Sequence, residues 1–282
     1  YMAADKAQTC IQTLQSWGYQ VMVGKTLGST SENYFSGTDE ERADELQAMM
    51  DDSSINAILF GRGGYGMSRI IDQLSFKKFK KHPKWLIGFS DITILHMHLF
   101  SRYKIASLHA PMAAAFNEGG YENEYIQSLQ KALKGKKAKY QCPAHAGNKQ
   151  GSATGKLIGG NLALLAHVIG TASDYNTKNC LLFIEDIGEY LYNADRMLYQ
   201  LKRSGKLDAI SGLIFGGFTD MKDTDRPFGK NIDEILQEIS AGLNIPVCYH
   251  FPVSHDKENV ALKIGVGYNL IVGVKKVTLQ EL

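Results

Sequence analysis

The chain has 282 residues, of which 44% are hydrophobic and 21% are charged, and its formal net charge is +2. This composition is ordinary for a globular protein with a sizeable core in one large domain or two, and the small net charge argues against a nucleic-acid partner. The four cysteines form no C-x-x-C pair, and no apolar run approaches the roughly 18 residues of a membrane-spanning helix. We therefore expect neither a disulfide framework nor a membrane partner.

The first part of the chain alternates helices and strands. The predicted elements are a helix at 3–17, a strand at 19–23, a polar loop at 24–37, a helix opened by a capping box at 38–41, a strand at 55–60, a helix at 67–73, a strand at 85–89, a helix after Asp91 and a strand at 105–109. This order indicates an α/β fold with a parallel, Rossmann-like sheet, whose functional loops follow the carboxyl ends of the strands.

A polar, basic segment with a lysine run separates this part from the rest. After it come strands at 155–158, 180–184, 209–215 and 245–248, helices at 162–170, 193–204 and 232–241, and an alternating β-like end at 261–281. We predict an N-terminal α/β domain at 1–117, a linker with one short helix at 118–151, and a strand-rich α/β C-terminal domain at 152–282.

Ser90 stands where the apolar run at 85–89, typical of a strand, turns into a helix. A serine at such a junction is lifted out of the fold beside the unpaired N–H groups of the helix start. Ser90 and Asp91 are also common helix caps. This stretch alone leaves both interpretations open.

The loop at 61–66 matches the spacing G-x-G-x-x-G between a strand and a helix. A dinucleotide site also needs an acidic residue at the end of the next strand, and residues 81–88 contain none. Such a loop can instead present backbone N–H groups to an oxyanion, or be a tight turn without a ligand.

Histidines supply the next candidates. His96, His98 and His167 lie in apolar helices and are predicted to be core residues. His255 lies in a polar loop at 251–259, where an imidazole can titrate. The sequence has no H-E-x-x-H motif and no close cluster of ligands, so we expect no metal site and no cofactor.

Glu185 follows the apolar strand at 180–184, a position that suits a catalytic group and a helix cap equally. Ser90, Glu185 and His255 thus occur in the order nucleophile, acid and base. A serine hydroxyl needs an imidazole to take its proton and a carboxylate to orient that imidazole. Spacing alone does not select these three residues.

Ordered motifs along nearly the whole chain make it resemble the LD-carboxypeptidase (muramoyltetrapeptide carboxypeptidase) family of serine peptidases, which includes microcin C self-immunity proteins. The motifs are SWGY at 16–19, VG at 23–24, RGGYG at 62–66, IGFSDIT at 87–93, HAPM at 109–112, GKLIGGNL at 155–162, IED at 184–186, DR at 195–196, His255 with Asn259, and IG at 264–265. The second residue of HAPM departs from the family's usual His-Gly-Pro, although it remains small.

The resemblance implies that Ser90 is the nucleophile, His255 the general base and Glu185 the orienting carboxylate. It further implies an active site in a cleft between the two domains, and a homodimer. Family members usually begin with a strand that this sequence lacks, so we expect about 20 further N-terminal residues in the native protein.

The backbone N–H groups of Asp91 and of Gly63 or Gly64 would form the oxyanion hole. A basic group should hold the substrate carboxylate near the scissile bond. Arg62 and Arg196 are the candidates, and the alternative for each is a structural ion-pair residue.

The implied reaction removes the terminal D-alanine from murein tetrapeptide through an acyl-enzyme, as part of peptidoglycan recycling in the cytoplasm. One alternative is a microcin-immunity-type amide or acyl-adenylate hydrolase, whose region 116–150 should supply an aromatic residue that stacks on adenine. That region contains no tryptophan, only Phe116, Tyr121, Tyr125 and Tyr140, which favours the peptidase. A nucleotide-binding oxidoreductase using the 61–66 loop is the third alternative.

Overall fold

Two β-sheets with helices packed against them make up the structure, a computed structural model that describes residues 1–29 and 34–282. The strands are β1 Ala57–Leu59, β2 Trp85–Gly88, β3 Ser107–His109, β4 Lys139–Pro143, β5 Gly151–Asn161, β6 Cys180–Ile187, β7 Gly212–Thr219, β8 Val247–Cys248, β9 Leu262–Ile264, β10 Gly267–Val272 and β11 Lys276–Glu281. The α-helices are α1 Gln8–Ser16, α2 Asp39–Asp51, α3 Met67–Ile70, α4 Thr93–His98, α5 Glu124–Leu133, α6 Leu162–His167, α7 Leu191–Arg203 and α8 Ile232–Ser240. The predicted α/β class is confirmed.

The first sheet has the strand order β1-β2-β3-β9. Strands β1, β2 and β3 run parallel, so the carboxyl ends of β2 and β3 lie side by side. The fourth strand, β9, comes from the far end of the chain and pairs antiparallel with β3. The C-terminal part of the chain therefore completes the sheet that carries Ser90.

The second sheet has the order β4-β11-β10-β5-β6-β7-β8. Its parallel half, β5 to β8, is covered on both faces, which is why β6 is a continuous apolar run with residues 180–186 buried. Its antiparallel half alternates, since in β10 Leu270 and Val272 are buried whereas Ile271 is 44% exposed.

The two sheets meet directly behind Ser90. Helix α4 begins at Thr93, whose Oγ1 accepts a hydrogen bond of 3.2 Å from the N–H of Asn161 at the end of β5. Gly160 has a φ of +146°, and a Cβ there would lie 2.4 Å from Thr93 Oγ1. A glycine is therefore required where the helix after Ser90 contacts the strand next to β6.

Several predicted elements are confirmed with shifted ends, and the capping box of α2 is present between Thr38 and Glu41. Residues 19–23 are not a strand, because they make no ladder hydrogen bonds in the described parts of the chain. Part of the predicted loop at 24–37, residues 30–33, lies outside the described residues.

The segment at 118–151 is not only a linker with one short helix. Besides α5 it includes β4, which pairs with β11 and so belongs to the second sheet. The domain division itself stays a prediction. Across residues 1–29 and 34–282, no helix is both long and apolar enough to cross a membrane.

Candidate active site

Ser90 lies at the turn between β2 and α4. Strand β2 ends at Gly88, Phe89 is extended, and Ser90 opens a short 3₁₀ turn that continues into α4. Ser90 has a φ of +62°, in the left-handed region that non-glycine residues rarely adopt. Such strain persists only where the surroundings impose it, and it concentrates at functional sites.

Buried His96 supports this turn from behind. Its Nε2 lies 2.9 Å from the carbonyl oxygen of Gly88, and its Nδ1 lies 2.8 Å from Ser107 Oγ. Burial lowers the pKa of His96 to about 4, so the ring is neutral; Nε2–H donates to Gly88 and Nδ1 accepts from the hydroxyl. His96 and His98 are core residues as predicted, whereas His167 is exposed and that prediction is wrong.

Glu185 and His255 form the central pair of the site. Nδ1 of His255 lies 2.5 Å from Oε2 of Glu185, which is fully buried at the end of β6. Burial alone would lower the pKa of His255, but the hydrogen bond to Glu185 and the negative charges of Glu185 and Asp186 outweigh it and raise that pKa. The imidazole is thus held in one orientation and is a stronger base than a free histidine.

Two glycines of β7 allow this contact. A Cβ on Gly216 would lie 2.1 Å from the carbonyl oxygen of Val253 and 3.2 Å from Glu185 Cβ. The N–H of Gly217 donates to that carbonyl over 2.9 Å. The segment that carries His255 therefore packs directly on β7, next to Glu185, and sequence reasoning did not assign this role to the glycine pair.

The glycine loop packs against Ser90. A Cβ on Gly63 would lie 2.7 Å from Ser90 Cβ, 2.9 Å from Ser90 Oγ and 3.4 Å from the backbone nitrogen of Asp91. A Cβ on Gly64 would instead approach the hydroxyl of Tyr34, at 3.7 Å. Of the two glycines, Gly63 is the one beside both the serine and the Asp91 N–H.

The side chain of Asp91 connects the turn at Ser90 to the helix that follows the glycine loop. Its Oδ2 accepts a hydrogen bond of 2.7 Å from the N–H of Met67, the first residue of α3. The carboxylate thus caps the helix after the glycine loop and not its own helix. Burial raises the pKa of this carboxyl group.

Ser90, His255 and the glycine loop face one cavity of about 750 Å³. Arg62 also lines it, and its Nη1 donates to the carbonyl oxygen of Tyr1 over 3.1 Å. Ser90 Oγ makes no hydrogen bond to His255 in this structure. Arg196 is not among the lining residues: its guanidinium lies over the ring of Tyr192, on α7.

Asp186 is a further buried acid that sequence reasoning left without a role. It accepts hydrogen bonds from Asn161 Nδ2 and from the backbone N–H groups of Ala163 and Ile187. Burial, and after it the charge of Glu185, raises the pKa of Asp186 to about 7. Its position directly after Glu185 was the only sequence signal.

Comparisons with known proteins show which family the chain resembles along most of its length. Residues 2–110 match the model of the LD-carboxypeptidase N-terminal domain, and residues 154–270 match that of the C-terminal domain. A Bacillus subtilis protein named probable murein peptide carboxypeptidase is 32% identical over 269 residues, covering 92% of this chain and 82% of its own.

Two further comparisons cover nearly the whole chain. The crystal structure of muramoyltetrapeptide carboxypeptidase from Oxalobacter formigenes matches with a TM-score of 0.89 and 29% identity, covering 100% of this chain and 96% of that one. The Escherichia coli microcin C7 self-immunity protein MccF is 26% identical over 308 residues, which cover 96% of this chain and 87% of that protein. The chain is therefore an enzyme of the LD-carboxypeptidase family.

Proposed function

We propose that this enzyme is a serine LD-carboxypeptidase that removes the terminal D-alanine from murein tetrapeptide through an acyl-enzyme. One observation carries the proposal: the strained Ser90 lines the same cavity as His255, whose imidazole is oriented by buried Glu185. These are the three groups that acyl transfer by a serine requires. The Bacillus subtilis and Oxalobacter formigenes proteins, named for murein or muramoyl peptides, support this substrate class.

In the first step Ser90 Oγ attacks the carbonyl carbon of the residue before D-alanine, while Nε2 of His255 takes the hydroxyl proton. The tetrahedral intermediate then collapses, the C–N bond breaks, and His255 gives its proton to the leaving amine of D-alanine. Water attacks the resulting ester with His255 again as base, which releases the tripeptide and restores Ser90. Glu185 stabilises the imidazolium formed in each half.

The backbone N–H groups of Asp91 and Gly63 are the proposed oxyanion donors. The Asp91 N–H belongs to the start of a helical turn, where the first N–H groups have no partner within the helix. Gly63 is favoured over Gly64 because it is the glycine that contacts Ser90. Arg62, in the same cavity, is the proposed partner of the D-alanine carboxylate.

A second candidate is a hydrolase of amides or acyl-adenylates of the microcin-immunity type, favoured by the similarity to MccF. Of the four aromatic residues considered for stacking on adenine, only Tyr125 lines the cavity. Phe116 is fully buried, and the hydroxyl of Tyr140 donates a hydrogen bond to the carbonyl oxygen of Ala261. Neither residue therefore presents a free ring face to the cavity. The peptidase therefore remains the better proposal.

The oxidoreductase alternative is disfavoured by Asp91. In a dinucleotide site the helix after the glycine loop directs its N-terminal N–H groups at the pyrophosphate. Here the N–H of Met67 is already bonded to the Asp91 carboxylate, whose charge would repel phosphate.

Recycling of peptidoglycan in the cytoplasm and assembly as a homodimer complete the proposal. Fractionation of the native host tests the location, and light scattering of the purified protein tests the dimer. A membrane-bound pool or a monomer at working concentration would contradict these two parts without affecting the reaction.

The test of the reaction is incubation with murein tetrapeptide, with a tetrapeptide ending in L-alanine, and with an aminoacyl-adenylate, followed by mass spectrometry of the products. We expect release of the terminal alanine from the first substrate, with the L-alanine peptide left intact and no enzyme-dependent hydrolysis of the adenylate. A parallel preparation of Ser90→Ala detects contaminating peptidases. Release of amino acid from the adenylate with the tetrapeptide left intact would overturn the peptidase and support the second candidate.

A further inference from the structure

A cluster of two histidines and an aspartate lies away from the candidate active site, at the β8 end of the second sheet. His145 comes from the connection between β4 and β5, Asp233 from the first turn of α8, and His250 from the segment after β8. Nε2 of His250 is 3.1 Å and Nε2 of His145 is 4.0 Å from Oδ2 of Asp233. The two imidazole rings are 4.7 Å apart between centroids.

We propose that His145, Asp233 and His250 form a binding site for a divalent zinc ion. Two imidazoles and one carboxylate are a donor set that zinc accepts, with water at the remaining position. Bond lengths of about 2.0 to 2.1 Å in tetrahedral geometry place neighbouring ligand atoms roughly 3.3 Å apart. The two separations from Asp233 Oδ2 lie on either side of this value, and all three ligand atoms lie within 4.8 Å of one another. The side chains must therefore rotate toward one another to close the site.

The exposure of the three side chains suits an open site. His145 and Asp233 are each 32% exposed and His250 is 52% exposed, which leaves an entry path and room for a water ligand. Within the described part of the chain, Asp233 Oδ1 is buried without a hydrogen-bond partner. The oxygen that faces the two histidines is Oδ2, and it is the proposed ligand atom.

The backbone around the cluster is fixed in advance. Lys149 Nζ donates to the carbonyl oxygens of Ser240, Ala241 and Leu243, which ties the loop of His145 to the end of α8. Asn148 Oδ1 accepts from the N–H of Tyr249, the residue before His250. Ligands held in this way need little ordering when an ion binds.

His250 carries a second sign of constraint. Its φ of +53° lies in the left-handed region, which costs free energy for a residue with a Cβ. This conformation brings the ring of His250 against that of His145 and toward Asp233.

Zinc binding requires one local change. Nδ1 of His145 accepts a long hydrogen bond of 3.2 Å from the N–H of Gly147, so in the ion-free protein the proton of a neutral ring is on Nε2. Coordination through Nε2 moves that proton to Nδ1 and gives up this one bond. The competing interpretation is an ion pair of protonated histidine with Asp233, in which no metal takes part.

The test is equilibrium dialysis and calorimetry of the full chain, stripped with a chelator, against Zn²⁺ and against Mg²⁺ as a hard-cation control. His250→Asn removes the imidazole but tolerates a positive φ, Asp233→Asn removes the charge, and His82→Ala removes an exposed histidine elsewhere. We expect one equivalent of Zn²⁺ on the wild type and on His82→Ala, with a higher melting temperature, and affinity reduced at least about tenfold in both ligand variants.

Circular dichroism of the variants without zinc checks their folding. If His250→Asn does not fold, the zinc affinity of Asp233→Asn alone tests the proposal. Saturation below one equivalent, or zinc affinity unchanged in the folded ligand variants, overturns the proposal. Because the readouts are binding and melting temperature, the result does not depend on the proposed reaction.

Discussion

Nδ1 of His255 lies 2.5 Å from Oε2 of Glu185, although the two residues belong to separate segments of the chain. The contact exists because Gly216 lets the backbone at Val253 pack directly on β7, beside Glu185. Glu185 Oε1, also buried, has no hydrogen-bond partner among the described residues, so the histidine is the main group that the carboxylate meets.

This pair predicts a shift in the pH profile. His255 must be neutral to act as base, so activity falls as the pH drops through its pKa, which the hydrogen bond and charge of Glu185 raise against the effect of burial. In Glu185→Gln that pKa falls, and the acidic limb of kcat/KM moves to lower pH while turnover drops on the order of 10³- to 10⁴-fold. An acidic limb at the wild-type pH in the Gln variant would contradict the role of Glu185.

A methyl group on Gly63 should impair catalysis more than folding. Because the added Cβ would lie 2.7 Å from Ser90 Cβ, the loop or the serine must shift, and we expect Gly63→Ala to lose on the order of 100-fold in kcat. Gly242→Ala is the matched control, since nothing lies within 4 Å of its Cβ position. Equal kcat values for the two variants would remove Gly63 from the proposed oxyanion hole.

Asp91 should act through the hydrogen bond that its side chain accepts. Asp91→Ala leaves the N–H of Met67 without its acceptor, which should cost about 1 to 3 kcal/mol in the free energy of unfolding and lower kcat by displacing the glycine loop. Asp91→Asn keeps an acceptor oxygen and should retain most of both. Urea unfolding and steady-state kinetics measure the two effects, and Asn and Ala variants that behave alike would argue against this role.

Arg62 should affect substrate binding more than turnover. We expect Arg62→Ala to raise KM for murein tetrapeptide about tenfold, and to make little difference for a substrate whose terminal carboxylate is amidated. Arg196→Ala distinguishes the other candidate, whose guanidinium lies over Tyr192 and outside the cavity lining. An increase of KM in Arg196→Ala alone would reverse the assignment.

The sequence predicted the local parts of the site well. Ser90 lies between a strand and a helical turn because the apolar run before it and the helical pattern after it are local signals. Glu185 ends a buried strand for the same reason. The predicted strand at 19–23 was wrong, because an apolar pattern does not supply a neighbouring strand to pair with.

Contacts between segments that are distant in the sequence could not be predicted from local patterns. The approach of His255 to Glu185 depends on the missing Cβ of Gly216, and the capping of α3 by Asp91 depends on how the glycine loop folds back. The grouping of His145 with Asp233 and His250 likewise arises from the packing of three segments.

The central claim is that Ser90 becomes acylated, and intact-protein mass spectrometry after rapid quenching tests it most directly. With murein tetrapeptide, the wild type should gain the mass of the tripeptide acyl group, mapped to the peptide containing Ser90, and should release D-alanine. Ser90→Ala should show no adduct and almost no release, while Ser152→Ala, altered on an exposed strand position, should match the wild type. Release of D-alanine by Ser90→Ala at the wild-type rate would contradict the account.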